Sequence, residues 1–186
     1  MITANAPAVL VRGALAGMLL AAVRCMAASA GQECDTSRYP LSTPEERFED
    51  RGDGTLLDRQ TQLLWLRCAV GQQWSGGQCS GQASLLSWPA ALQQVQDLNS
   101  HGTWFFSDWR IPRIQELASI AERQCRNPRI NLRLFPGTPA APFWSATPRQ
   151  PSGSDAALLM LGFGEEGVGH DDQEGRHFVR LVRTGP

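Results

Sequence analysis

Apolar and polar positions along this chain fall into a short series of contrasting patterns. The first is an apolar run from Gly13 to Val23, preceded by Arg12 and followed by small residues ending in Ala28-Ser29-Ala30. The run is shorter than the about 20 apolar residues a bilayer crossing needs, and an A-x-A-like site closes it. Residues 1–30 therefore read as a secretory signal peptide, with a retained N-terminal anchor as the alternative. Polar residues 31–46, ending in Ser42-Thr43-Pro44, predict a non-regular arm. From residue 47 the pattern tightens. Arg47–Asp50 is strand-like, Arg51-Gly52-Asp53-Gly54 carries strong turn chemistry, and Thr55–Asp58 resumes a strand. After a second turn over Arg59–Gln62, Leu63-Leu64-Trp65-Leu66-Arg67 reads as a largely buried strand, so the stretch is a β-meander.

A glycine-rich loop follows between Cys68 and Cys79, and then the period changes to that of a helix. Trp88, Leu92, Val95 and Leu98 share one face, Ser87 can cap the start, Pro89 suits the first turn, and Asn99-Ser100-His101-Gly102 ends it. Pro112 opens a second helix, expected to run to about Arg123, with Ile114, Leu117 and Ala121 on its inner stripe. Prolines 128, 136, 139, 142 and 148 predict an irregular segment anchored by Phe135 and Phe143-Trp144-Ser145. Residues 156–163 are strand-like and 164–175 form a polar, acidic loop. The alternation in His177–Arg183, with Phe178, Arg180 and Val182 on different faces, predicts a closing strand. The order is strands, two helices, strands. It predicts a single α+β domain over 47–186.

Charge narrows the partners. Every basic residue is arginine, and without Arg12 and Arg24 the remaining fifteen face eighteen acids, a net −3. That balance argues against nucleic acid, which needs a basic face. Arginine does suit bidentate pairing with carboxylate, sulfate or phosphate, so a local anion-binding patch is compatible with the sequence. Removing Cys25 with the signal leaves Cys34, Cys68, Cys79 and Cys125. Four cysteines in an exported chain imply two disulfides with three possible connectivities. The glycine-rich excursion between Cys68 and Cys79 lets its ends meet, which leaves Cys34 for Cys125. No C-x-x-C pair or nearby histidine supports zinc instead.

One ordered set of residues has a family resemblance. It comprises Gly52-Asp53-Gly54-Thr55, Asp58, Thr61, Leu63, Trp65, Cys68, Cys79, Asp108-Trp109-Arg110-Ile111-Pro112 with Glu116-Leu117, and Cys125-Arg126-Asn127-Pro128 with Ile130-Asn131. Phe135-Pro136, Phe143-Trp144-Ser145 and Val179-Arg180-Leu181-Val182-Arg183 complete it. Over roughly 47–183 the chain resembles the C-terminal domain family of Legionella collagen-like proteins, a family of unassigned function. Two positions depart from that pattern: Gln62 stands where the family usually has glycine, and the late loop is acidic rather than asparagine-rich. The helix start and closing strand are also similar to formylglycine-generating-enzyme-like members of the C-type-lectin-like fold, an analogy of fold alone. The resemblance implies an adhesin-like role toward sulfated or acidic polysaccharide. This sequence contains no collagen-like repeat.

Candidate chemistry is sparse. His170, Asp171, Asp172 and His177 are metal-ligand types without ligand spacing, and Asp50, Asp53 and Asp58 lack the register of a calcium loop. Asp108-Trp109-Arg110 reads either as a ligand site or as a core tryptophan beside a paired carboxylate. Trp74, in its tethered loop, and Trp104-Phe105-Phe106, a run unable to face one core, are candidate contact aromatics. No nucleophile elbow or late cysteine pair supports catalysis. The sequence thus predicts an exported, periplasmic or extracellular, non-enzymatic binding domain without cofactor. Trp74, Trp104, Phe105 and Arg110 are the candidate ligand residues, and polysaccharide or an envelope protein is the partner. An enzyme acting on envelope glycans and a structural envelope protein are the alternatives.

Overall fold

Two turns closed by their own aspartates bring three short strands into register and begin the architecture. A computed structural model describes residues 31–101, 106–150 and 157–185, with Met1. The expected signal peptide therefore lies outside the described residues. In chain order the first strands are β1 (Glu33–Cys34), β2 (Phe48–Asp50), β3 (Thr55–Asp58), β4 (Leu63–Leu66), β5 (Gln73–Ser75) and β6 (Gln78–Ser80). Helices α1 (Trp88–Ser100) and α2 (Ile114–Ser119) follow. The remaining strands are β7 (Cys125–Arg126), β8 (Pro142–Pro148), β9 (Leu158–Gly162), β10 (Val168–Asp171) and β11 (Val182–Thr184). The α+β class expected from the sequence is the one observed.

The central sheet has the order β11-β4-β3-β2, all antiparallel. Its first turn is held by Asp53, whose Oδ1 accepts from the Thr55 amide and hydroxyl at 2.9 and 2.7 Å. Its second is held by Asp58, which accepts from the Gln60 amide and the Thr61 hydroxyl at 3.0 and 2.7 Å. Asp58 is fully buried and also takes the guanidinium of Arg47. Burial pushes its carboxyl up, but the hydrogen bonds from Arg47 and Thr61 outweigh that and leave it below its ordinary range.

Both faces of this sheet are covered, which explains the nearly continuous apolar run of Leu63–Leu66. Leu56, Leu63 and Trp65 enter one core with Ile114, Leu117, Phe135 and Phe143. Leu57, Leu64 and Leu66 enter a second with Ala91, Trp109, Ile111 and Trp144. The two-residue strand period therefore assigns alternate residues to opposite cores. Helix α1 lies on the second core through Ala91, with Trp88, Val95 and Leu98 half-buried and Leu92 left 42% exposed. Its N-cap position is Ser87, without a side-chain hydrogen bond.

The chain from His177 to Thr184 joins the central sheet to the second sheet, β10-β9-β8. His177 exchanges backbone bonds with Leu86, and Phe178 O accepts from Trp144 N at 2.9 Å. Val179 O and Leu181 O then accept from Val70 and Leu66, before Val182 pairs with Trp65. Only Val182–Thr184 is regular strand, so the expected closing strand is shorter than 177–183. Arg180, expected among alternating faces, lies wholly inside. Its Nη1 donates to the carbonyls of Leu66 (2.9 Å) and Arg67, and its Nη2 to the Thr138 hydroxyl at 2.7 Å. Burial alone lowers its pKa to about 9, so it stays cationic at neutral pH.

Four further expectations are corrected. Helix α2 stops at Ser119 rather than near Arg123, because Ala121 pairs with Ile130 and Glu122 N donates to Arg129 O at 3.1 Å. The proline-rich segment contains β8, with prolines at both ends, and the acidic loop contains β10, which completes the open edge of β9. The loop between Cys68 and Cys79 is largely a hairpin, β5–β6. Both expected disulfides, Cys68–Cys79 and Cys34–Cys125, are present. The second closes a separation of 91 residues, for which the chain-entropy model gives about 5 kcal/mol.

Two substitutions test this account. Arg180→Ala strands two carbonyls and a hydroxyl and opens a cavity, so urea denaturation should show a loss of about 3–5 kcal/mol; a loss below about 1 kcal/mol would contradict the tie. Gln62 has a φ of 57°, in the left-handed region, which accounts for the glycine usual there in the resembled family. Gln62→Gly should stabilise by about 0.5–1 kcal/mol in the same assay.

Candidate functional site

A wide concave surface is built where α2 ends. Between the pairing partners Ala121 and Ile130 the chain makes an excursion that carries Arg123, Arg126 and Arg129 outward, all exposed. Glu122 anchors its base. This carboxylate is fully buried, has no cationic partner among the described residues, and accepts from the Ser42 and Thr43 hydroxyls at 2.9 and 2.6 Å. It also accepts from the Thr43 and Gln124 amides at 2.7 and 2.9 Å. Burial pushes the Glu122 carboxyl up, and these donors more than reverse the shift.

Glu122 thereby fixes the arm beside the excursion. Further out, Asp35 N donates to Gln124 O at 2.7 Å and Gln124 Nε2 donates to Tyr39 O at 2.8 Å. Gln32 Nε2 reaches Pro128 O and Ile130 O at 2.7 and 2.6 Å. The Cys34–Cys125 disulfide lies within the two-residue β1–β7 ladder. Arm and excursion enclose an open cleft of about 780 Å³, lined by Glu33, Asp35, Arg38, Tyr39, Arg123, Arg126 and Arg129 together with the disulfide.

The cleft is cationic. Arg126 donates through Nε, at 2.8 Å, and through Nη2 to the same Glu33 oxygen. That bond holds its guanidinium above the ordinary value, with Glu165 and Asp35 contributing at longer range. The Asp35 carboxylate accepts from the Ser37 hydroxyl at 2.7 Å, which lowers its pKa, and from the Ser37 and Arg38 amides. The Arg38 guanidinium lies 5.4 Å from the centre of the Tyr39 ring, and Tyr39 is 44% exposed. Among the described residues, the Arg38, Arg123 and Arg129 guanidinium groups have no carboxylate ion pair, and Arg126 has Glu33. Four guanidinium groups thus face two lining carboxylates, both already hydrogen-bonded.

The residues nominated from sequence do not converge on this cleft. Trp74 is half-buried on β5, with the Arg67 guanidinium 4.1 Å above its ring and Gly54 against its other side. It lines a separate cavity of about 90 Å³. Arg110 lies in a groove with Trp88, Leu92 and Val95, and its two terminal nitrogens donate to both oxygens of Glu116 at 2.7 Å. Trp104 and Phe105 lie outside the described residues. Phe106 packs on Trp109, which is core, and under Arg183, 4.0 Å from its ring centre. Asp108 pairs with Arg183 rather than Arg110, at 2.7 Å. Asp50, Asp53 and Asp58 are bonded to Arg67, Thr55 and Arg47 respectively. Asp171 accepts from or shares a proton with His177 Nε2 at 2.8 Å, which lowers the Asp171 carboxyl. Among the described residues no three His, Cys, Asp or Glu side chains gather as a metal set.

Sequence reasoning missed the cleft arginines, although a signal was present. Arg123, Arg126 and Arg129 recur every third residue around Cys125. The assumption that helix α2 continued to Arg123 obscured their common excursion. Arg38 and Tyr39 carried no such signal, because they belong to the arm, which only long-range ties through the disulfide, Glu122, Gln32 and Gln124 bring to the excursion.

Comparison with known proteins gives one family. The Lcl C-terminal domain model matches residues 54–183, and no curated protein matches the chain. That match covers most of the sequence, so the chain belongs to the Lcl C-terminal domain family. The excursion lies inside the matched span, whereas the arm lies before it.

Because the Glu122 carboxyl sits below its ordinary value of 4.5 in the folded protein, its stabilisation is present above that pH and is lost as pH falls through the lower, folded value. Glu122→Gln should cost about 1–3 kcal/mol at neutral pH. It should also flatten the decline in stability below about pH 4.5. Urea midpoints across pH measure both effects, and an unchanged acid limb would refute the assignment.

Proposed function

We propose, with membership of the Lcl C-terminal domain family as premise, that this chain is an exported, non-enzymatic binding domain whose arginine cleft takes an anionic, sulfated polysaccharide. The observation that carries this reading is the cluster of Arg38, Arg123, Arg126 and Arg129 around one open cleft, with only Arg126 ion-paired to a carboxylate among the described residues. Guanidinium groups present planar pairs of donors that match sulfate oxygens. Exposed Tyr39 offers a flat apolar surface beside them. A polymer with repeated sulfates engages several arginines at once, so individually weak, solvent-screened contacts add up.

Export is supported by the pairing of all four described cysteines, which favours an oxidising compartment, periplasmic or extracellular. No helix among the described residues is long and apolar enough to cross a membrane. A non-enzymatic role is favoured by the state of the cleft's acids. Asp35 is held below its ordinary range, opposite to what a general acid for glycoside cleavage needs, and Glu33 is engaged by Arg126.

The test is binding of oxidised protein, residues 31–186, to immobilised dextran sulfate and to unsulfated dextran across a salt series. Binding only to the sulfated polymer, weakening as salt rises, is the expected result. The double variant Arg123→Gln, Arg129→Gln should lose at least about tenfold in affinity. Arg110→Gln, whose guanidinium is already taken by Glu116, should stay within about twofold. Loss on Arg110→Gln or Trp104→Ala with the cleft variant unaffected would move the site to the surface nominated from sequence. Absence of any salt-sensitive binding would overturn the polysaccharide reading.

A further inference from the structure

Within the cleft, one contact differs in kind from the others. Glu33 faces Arg126 as its direct cross-strand partner in the β1–β7 ladder, so backbone register sets the two side chains opposite each other. A single Glu33 oxygen accepts both Nε and Nη2 of Arg126. This is the donor edge on which a sulfate oxygen would sit. The adjacent residues of each strand, Cys34 and Cys125, are covalently joined, so the carboxylate is tethered beside its guanidinium at high local concentration.

Resting on the polysaccharide reading above, we propose that Glu33 is an autoinhibitory occupant of the cleft, an internal carboxylate that stands in for an anionic ligand on Arg126. Both side chains are more than half exposed, 57% for Glu33 and 65% for Arg126, so the pair is screened by solvent and can be displaced. Arm attachment does not depend on it, since Glu122, Gln32, Gln124 and the disulfide hold the arm. Asp35, the other lining acid, is engaged by its own turn through Ser37 and the Arg38 amide and contacts no cleft guanidinium by hydrogen bond. Glu33 therefore occupies a binding group, whereas Asp35 contributes only its charge.

The consequence is selectivity by charge density. An isolated sulfate meets a tethered competitor at Arg126. A polymer already held by Arg123 and Arg129 presents its next sulfate at comparable local concentration and displaces Glu33. The occupant belongs to the arm, outside the residues 54–183 shared with the family.

The experiment is a double-mutant cycle in the oxidised protein, read as affinity for dextran sulfate and for inorganic sulfate. Glu33→Gln should raise dextran sulfate affinity about three- to tenfold, and that gain should vanish in an Arg126→Gln background. Asp35→Asn, which removes an equal charge from the same cleft, should change affinity less than about twofold. The gain from Glu33→Gln should be proportionally larger for inorganic sulfate. Equal gains from Glu33→Gln and Asp35→Asn, or a gain that persists without Arg126, would reduce the effect to background charge and overturn the inference while leaving the polysaccharide reading intact. Binding by Glu33→Gln where the parent protein binds nothing would support it. Failure of both proteins to bind either probe would overturn the inference and the polysaccharide reading together.

Discussion

A single buried cation organises this domain. Arg180 is fully enclosed, and its charge is met by two carbonyls of the strand end at Leu66–Arg67 and by the Thr138 hydroxyl, rather than by a carboxylate. The Phe135 and Phe143 rings lie 4.8 and 5.8 Å from the guanidinium carbon. A guanidinium with no counter-ion is costly to bury, and it persists only where fixed dipoles replace its water. The acceptors come from two segments, Leu66–Arg67 and Thr138, both far from Arg180 in sequence. Its terminal nitrogens are therefore met only when the central sheet, the 135–138 turn and the C-terminal segment are assembled together. Folding around Arg180 also fixes Val179 and Leu181 in the second core, so both faces of the sheet depend on its placement.

The same device recurs with opposite sign at the arm. Glu122 is a buried anion without a cationic partner among the described residues, and its oxygens collect amides and hydroxyls from residues 42, 43 and 124. In each case a charge is used to gather backbone groups that have no strand or helix partner. The core charge ties the end of β4 to the 135–138 turn and the C-terminal segment. The peripheral one lays an otherwise irregular arm along an arginine-bearing excursion, and the cleft between them exists because of it. Other arginines that looked available in the sequence serve structure instead: Arg47 on Asp58, Arg67 over Trp74, Arg110 on Glu116 and Arg183 over Phe106. Cation count alone therefore says little about binding, and location relative to unpaired carboxylates says more.

Much of the local structure was legible from residue pattern. The β-meander, the start of both helices, the two disulfides and the burial of Phe135 and Phe143-Trp144-Ser145 follow from turn aspartates, period and cysteine spacing. Boundaries set by long-range pairing were not. The end of α2 is imposed by Ala121 meeting Ile130, and β10 forms because β9 offers it an open edge, not because its own residues alternate. Arg180 illustrates the limit best. Nothing in its strand-like run of alternating apolar and basic residues marked it for burial, and the polar acceptors that make that burial tolerable lie 42 or more residues away.

The class of domain, its covalent staples, its family and its supply of arginine without lysine could be read from the chain alone, because these are matters of composition, spacing and short-range turn chemistry. Which arginines are occupied and which line a cleft is settled by the assembled fold. Pairing of a guanidinium with a carboxylate or an aromatic face depends on distances between segments that the chain brings together late. Arg126 meets Glu33 from 93 residues away, and nothing in either residue's neighbourhood along the chain announces the other.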